Sequence, residues 1–119
     1  MIRVVMHRNR AMQYTGFTVN GHAGFDAYGR DIVCAAVSAL TTTTANSIEQ
    51  LLKLPVSGEA DAEEGSMRLE LDCMPTTGTD LLFSSLFLGL SEIAEAYGPG
   101  YIRITTEDMD AARRTGTES

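Results

Sequence analysis

Apolar and polar side chains alternate from the first residues. Ile2, Val4 and Met6 fall on one side and Arg3, Val5 and His7 on the other, the period of a strand with one buried face. A polar turn at Arg8 to Arg10 returns the chain into a second extended segment, Met12 to Val19, completing a hairpin. Its apolar phase passes from Met12 and Tyr14 to Phe17 and Val19 by a one-residue slip at Gly16, which a bulge absorbs. Asn20 to Arg30 carries glycines and no sustained period, so it reads as a loop. Asp31 then opens a helical pattern in which Val33, Val37, Leu40, Thr44, Ile48 and Leu51 share one face. Asp is a favoured N-cap because its carboxylate accepts the first free N–H groups. The threonine run at 41–44 lowers helix propensity and makes a kink there an expectation. The helix should stop near Lys53, since Leu54 precedes Pro55.

Val56 begins a short extended piece, followed by an acidic turn from Glu59 to Glu64. Met67, Leu69 and Leu71 alternate with Arg68, Glu70 and Asp72, the pattern of another half-buried strand. After a connection through Pro75 and the TTGT segment, a second helix is expected from Asp80 to Tyr97, with Leu82, Leu86, Leu90, Ile93 and Tyr97 on one stripe broadened by Phe83 and Phe87. Gly98 and Pro99 stop it. Tyr101 to Thr105 forms a last strand, and a polar tail that includes one helical turn at most follows. The expected fold class is α+β: a single domain over residues 1–105 with a tail over 106–119, its order β-β-α-β-β-α-β. Two helices packed against a mixed sheet would bury both apolar stripes.

Length and charge narrow the function. At 119 residues with a 44% hydrophobic share, the chain suits one globular core. Nine Lys plus Arg against sixteen Asp plus Glu leave a net charge of -7. That argues against a general affinity for nucleic-acid backbone and leaves room for a basic partner. The longest apolar-biased run, Leu81 to Leu90, is broken by Ser84, Ser85 and Gly89, so no membrane span is expected. The N-terminus lacks the features of a secretory signal, and two separated cysteines make no disulfide framework. A small soluble cytoplasmic protein is the expectation.

The candidate chemistry lies between Gly21 and Leu40. With Asp31 as N-cap, Cys34 stands in the first helical turn, where unpaired N–H groups and the helix dipole favour an anion. A thiol there is expected to have a lowered pKa, and the same N–H groups could hold an oxyanion. His22, upstream in the glycine-rich loop, can fold back against the sulfur and exchange a proton with it. Gly21 and Gly24 permit a tight backbone path and leave room for a peptide. Asp31 has two readings: it orients His22, or it only caps the helix, where its charge opposes a thiolate. Ser38, one turn beyond Cys34, lines the same mouth or is a helix-surface serine. Against all this stands the plainer reading of Cys34 as a small buried hydrophobe and His22 as a loop hydrogen-bonder.

Cys73 and His7 read as structural. The Cys and His positions 7, 22, 34 and 73 match no metal-ligand spacing. With no CxxC pair, GxGxxG or GxxxxGK[ST] in the chain, neither a metal nor another cofactor is called for. The acidic turn is a solvated loop or, if functional, a surface for a positively charged protein segment.

The GHAG loop at 21–24, the DIVCAAVSAL helix start at 31–40, the LxLxC run ending at Cys73 and the LLFxxLxLGL pattern from Leu81 together resemble the bacterial ribosomal-processing cysteine protease Prp family. The likeness spans nearly the whole chain. It implies a homodimeric cysteine endopeptidase that removes an N-terminal extension from the precursor of a large-subunit ribosomal protein, number twenty-seven. On this resemblance the catalytic histidine falls on His22, the nucleophile on Cys34 and the nearby aspartate on Asp31, and the intervening glycine-rich loop moves to admit substrate. It further implies a cleavage site with aromatic residues before the cut and Ala after it. Two other readings compete: a non-enzymatic ribosome-assembly module that binds a basic ribosomal protein, and a small thiol-redox protein.

Overall fold

The computed structural model describes residues 1–26 and 31–108. The strands are β1 (Ile2–Arg8), β2 (Tyr14–Asn20), β3 (Val56–Asp61), β4 (Ser66–Leu71) and β5 (Ile102–Asp108), and the helices are α1 (Ile32–Gln50) and α2 (Thr77–Tyr97). They form one mixed sheet in the order β3-β4-β2-β1-β5, with β5 parallel to β1 and every other neighbour antiparallel. The expected α+β class and element order are those observed. Each hairpin supplies one part of the sheet. Each helix is the connection that carries the chain to an edge, α1 to β3 and α2 to β5.

Both helices cover the same face. Ile2, Val4 and Met6 of β1 meet Phe17 and Val19 of β2, Leu69 of β4 and Ile102 of β5 in a buried cluster with Val33, Val37 and Ile48 of α1 and Phe83, Leu86 and Leu90 of α2. Strand alternation therefore puts Val5, His7, Thr18, Arg68 and Glu70 on the uncovered face. There His7 is buried and hydrogen-bonded to Glu70 across Gly16. A Cβ on Gly16 would lie 2.1 Å from the Leu69 carbonyl oxygen and 2.6 Å from the Glu70 side chain. Bare backbone is what permits that strand approach.

Local chemistry moved several boundaries. The hairpin slip falls at Thr15, beside the expected Gly16, because His7 pairs with Gly16 and Arg8 with Tyr14. Helix α1 passes unbroken through its threonines. Thr41 and Thr44 turn their hydroxyls back onto the Val37 and Leu40 carbonyls and pack in the core, so they fit the helix without a kink. The helix ends at Gln50, and Leu51, expected on the buried face, is 76% exposed. Helix α2 starts earlier than Asp80 because Thr76 and Thr79 form a capping box, with Thr79 N–H donating to Thr76 Oγ1 at 3.1 Å and Thr76 N–H to Thr79 Oγ1 at 2.8 Å. The acidic stretch is split: Glu59 to Asp61 belong to β3, and only residues 62–65 turn. The last strand continues through Thr106 to Asp108, while residues 109–119 of the expected tail lie outside the described residues.

Candidate active site

Asp31 organises the site. It is the N-cap of α1, and its Oδ1 accepts the N–H groups of Val33 and Cys34, each at 3.0 Å. Its Oδ2 reaches back into the preceding loop and accepts Phe25 N–H at 2.9 Å and Asp26 N–H at 3.4 Å. Burial raises the pKa of this carboxyl, but the four N–H bonds outweigh burial and leave it below the usual value. One carboxylate thus fixes the helix start and the loop before it. Both of its oxygens are committed to backbone, which is the arrangement of a cap rather than of a group dedicated to an imidazole.

Cys34 sits in the first turn of α1, half-buried, with Ala23 N–H donating to its Sγ at 3.2 Å. The expected lowering of its pKa does not occur. Burial raises it, the Ala23 N–H acts the other way, and the Asp31 charge raises it further. The helix-start N–H groups that would have favoured a thiolate are already taken by Asp31. For the same reason, and against the expectation from sequence, Val33 and Cys34 N–H are not open to an oxyanion. The donor beside the sulfur is Ala23 N–H, which no sequence signal marked.

His22 enters from the loop after β2. Its Nε2 lies 2.9 Å from the main-chain oxygen of Glu63 in the β3–β4 turn. That turn presses close: a Cβ on Gly65 (φ 64°) would lie 2.5 Å from the Gly21 carbonyl oxygen and 3.0 Å from His22 Cε1. Gly21 itself has φ 95° and passes so near Met1 that its own Cβ would stand 2.4 Å from the Met1 carbonyl oxygen. The tight path expected of Gly21 is therefore present. Gly24 also has positive φ, 73°, but with open space where a Cβ would be.

All six residues singled out from the sequence, Gly21, His22, Gly24, Asp31, Cys34 and Ser38, line one open cleft of about 750 Å³ between α1 and the β3–β4 turn. Its floor includes Ile2, Val19, Val37 and Met67, and its rim includes Asp26, Asp61 and Glu63. The arrangement offers a nucleophile, an imidazole, an apolar trough and a negative edge. Phe25 adds an anchor that the sequence did not reveal: its ring makes edge contacts with Tyr97 at 5.4 Å and Tyr101 at 5.2 Å between centroids. The other two candidates lie elsewhere. His7 is on the uncovered face of the sheet, and Cys73 is a free, half-buried thiol after β4.

This site stands in a chain whose residues 1–103 match the family model described as cysteine protease Prp. The chain belongs to the cysteine protease Prp family. The Bacillus subtilis (strain 168) ribosomal processing cysteine protease Prp is 26% identical over 110 residues, covering 89% of this chain and 97% of that protein. Among solved structures, the Staphylococcus aureus Prp with a covalently linked product peptide superposes with a TM-score of 0.83 at 27% identity, over 90% of this chain and all of that one (100%). SMU.848 from Streptococcus mutans gives a TM-score of 0.78 at 31% identity, over 92% of this chain and 96% of its own. The S. aureus enzyme has also been crystallised with a substrate peptide. Membership of the Prp family makes this chain a thiol peptidase.

Proposed function

We propose that this Prp-family chain is the endopeptidase that removes the N-terminal extension from the precursor of a large-subunit ribosomal protein, number twenty-seven. The observation that carries the reading is the convergence of Cys34 and His22 on one cleft with an apolar floor. The Bacillus relative is a ribosomal processing enzyme by name, and the Staphylococcus relative holds peptides. Ile2, Val19, Val37 and Met67 suit aromatic and aliphatic substrate side chains, while the Asp26 and Glu63 rim suits a basic segment.

In this reading Cys34 rests as a thiol, consistent with its raised pKa. Its proton passes to His22 as the sulfur forms a bond to the scissile carbonyl carbon, and the carbonyl electron pair moves onto oxygen. Ala23 N–H, already at the sulfur, meets the developing oxyanion. Collapse of that intermediate breaks the C–N bond, and the imidazolium gives its proton to the leaving amine. Water, losing a proton to His22, then hydrolyses the thioester and returns Cys34 to its thiol. Asp31 holds the helix start and the loop in register throughout. Ser38, Gly21 and Gly24 border the peptide.

The same proposal places the enzyme in the cytoplasm as a homodimer. Among the described residues no helix is long and apolar enough to cross a membrane. Leu81 and Leu88, 71% and 60% exposed on α2, share a helix face that a second copy can cover.

Mass spectrometry of the extended ribosomal protein, incubated with wild type and with Cys34→Ala, tests the assignment. Wild type should create a single new N-terminus and the variant none. Binding of an intact precursor without cleavage would favour the assembly-module alternative. Equal processing by Cys34→Ala would remove Cys34 from the mechanism.

A further inference from the structure

We propose that Asp61, acting through the main-chain carbonyl of Glu63, is a positioning residue for His22, fixing the neutral imidazole with its hydrogen on Nε2 for the proton exchange of the peptidase reading. The proton-exchange part rests on the peptidase reading above; the orientation of the ring does not. A carbonyl oxygen only accepts, so the 2.9 Å contact with Glu63 requires Nε2 to donate. A neutral imidazole carries one ring hydrogen, and Nδ1 is therefore the acceptor. In cysteine and serine peptidases the base is held by a third group bonded to its other nitrogen. Asp31 is poorly suited to that task because its two oxygens already accept four N–H groups. Here the β3–β4 turn takes it over.

The turn is built for a fixed carbonyl. Asp61, the last residue of β3, accepts Glu63 N–H at 3.1 Å and Glu64 N–H at 3.2 Å on Oδ1, an arrangement that locks the peptide units around Glu63. Gly65 N–H closes the turn onto the Ala62 carbonyl at 3.3 Å. The missing side chain at Gly65 lets the turn lie against both Gly21 and the His22 ring. The acidic segment thus acts through its main chain: Asp61 sets the turn, and the turn sets the histidine. Asn at position 61 keeps the Oδ1 acceptor and removes the charge, while Ala removes both. That pair of variants separates positioning from attraction of a basic substrate.

The test is long-range proton–nitrogen NMR on the full chain with labelled histidine, at a pH where the imidazole is neutral. The chain holds two histidines, His7 and His22, and His22→Gln assigns the signals. Wild type and Asp61→Asn should show one fixed tautomer with Nε2 protonated. Asp61→Ala should drift toward the tautomer mixture of a free imidazole. On the peptide substrate, Asp61→Ala should lower kcat by roughly tenfold or more, the scale of a misplaced catalytic group, with KM changed by less than about twofold. Asp61→Asn should restore kcat. A ring protonated on Nδ1, or a tautomer and kcat indifferent to Asp61→Ala, overturns the proposal. A loss of kcat that Asn fails to rescue also overturns it, by pointing to charge. A fixed tautomer in a wild type that cleaves no peptide would instead defeat the peptidase reading and leave the orientation standing.

Discussion

Replacing Asp31 by Asn tests the reading of this residue as a two-sided clamp. Asn has one acceptor oxygen where Asp has two, and it caps helices nearly as well. Its oxygen can keep the Val33 and Cys34 bonds, but its NH2 group must then face the N–H groups of Phe25 and Asp26. The Phe25 bond at 2.9 Å is a full charge-assisted hydrogen bond, and the Asp26 contact at 3.4 Å is a weak one. Hydrogen bonds to charged groups contribute about 1.5–3 kcal/mol each, so the loop side should lose about 2 kcal/mol while the cap loses only a few tenths. Asp31→Ala loses the cap as well, about 1 kcal/mol more. Urea unfolding at neutral pH measures both. The difference between wild type and Asn should also shrink in acid. The folded-state pKa of Asp31 lies below the unfolded value, so its contribution is fully present above about 3.9 and is lost as pH falls through the folded value. Removing the charge should at the same time lower the Cys34 pKa and speed its alkylation at pH 7. An Asn variant within about 0.5 kcal/mol of wild type, less than one such bond is worth, would refute the clamp, as would Ala and Asn that cost the same.

Three further outcomes follow from the same geometry. In the resting enzyme, iodoacetamide should modify Cys34 more slowly at pH 7 than it modifies the unfolded chain, with the rate still climbing above pH ~8.5, where a free thiol is half ionised; fast modification below pH 7 would contradict the raised pKa. Phe25→Ala removes the ring seated on Tyr97 and Tyr101, costs about 1 kcal/mol, and should increase amide exchange at Phe25 and Asp26 while leaving β1 protected; unchanged exchange there would mean that the ring does not hold the loop. Phe83→Ala empties a fully buried position between Tyr14 and Phe17 and should cost about 3–5 kcal/mol by chemical denaturation, and a loss under 1 kcal/mol would contradict the packing described.

Much of the fold was legible because local patterns dictate it. Strand alternation at Ile2–Met6 and Met67–Leu71 and the stripe from Val33 to Ile48 place apolar groups on one side whatever the rest of the chain does. Asp31 was readable as an N-cap because capping involves only the next few residues. The same locality explains the errors. The threonines of α1 look like helix weakeners until their hydroxyls find carbonyls one turn back, and Thr76 looks like loop until Thr79 completes its box. At the site, His22, Cys34 and the glycines were visible as residue types near one helix start. What sequence could not supply is distance across the chain. Glu63 meets His22 from the β3–β4 turn, and Tyr97 and Tyr101 seat Phe25 from the end of α2 and the residue just before β5. The Cys34 pKa depends on the same tertiary facts. The dipole argument alone predicts a lowered value, but folding places a committed carboxylate beside the sulfur and removes water from it. The sequence determined which candidate groups stand near one helix start; only the tertiary structure decided which of them charge, desolvation and hydrogen bonding bring to bear on one another.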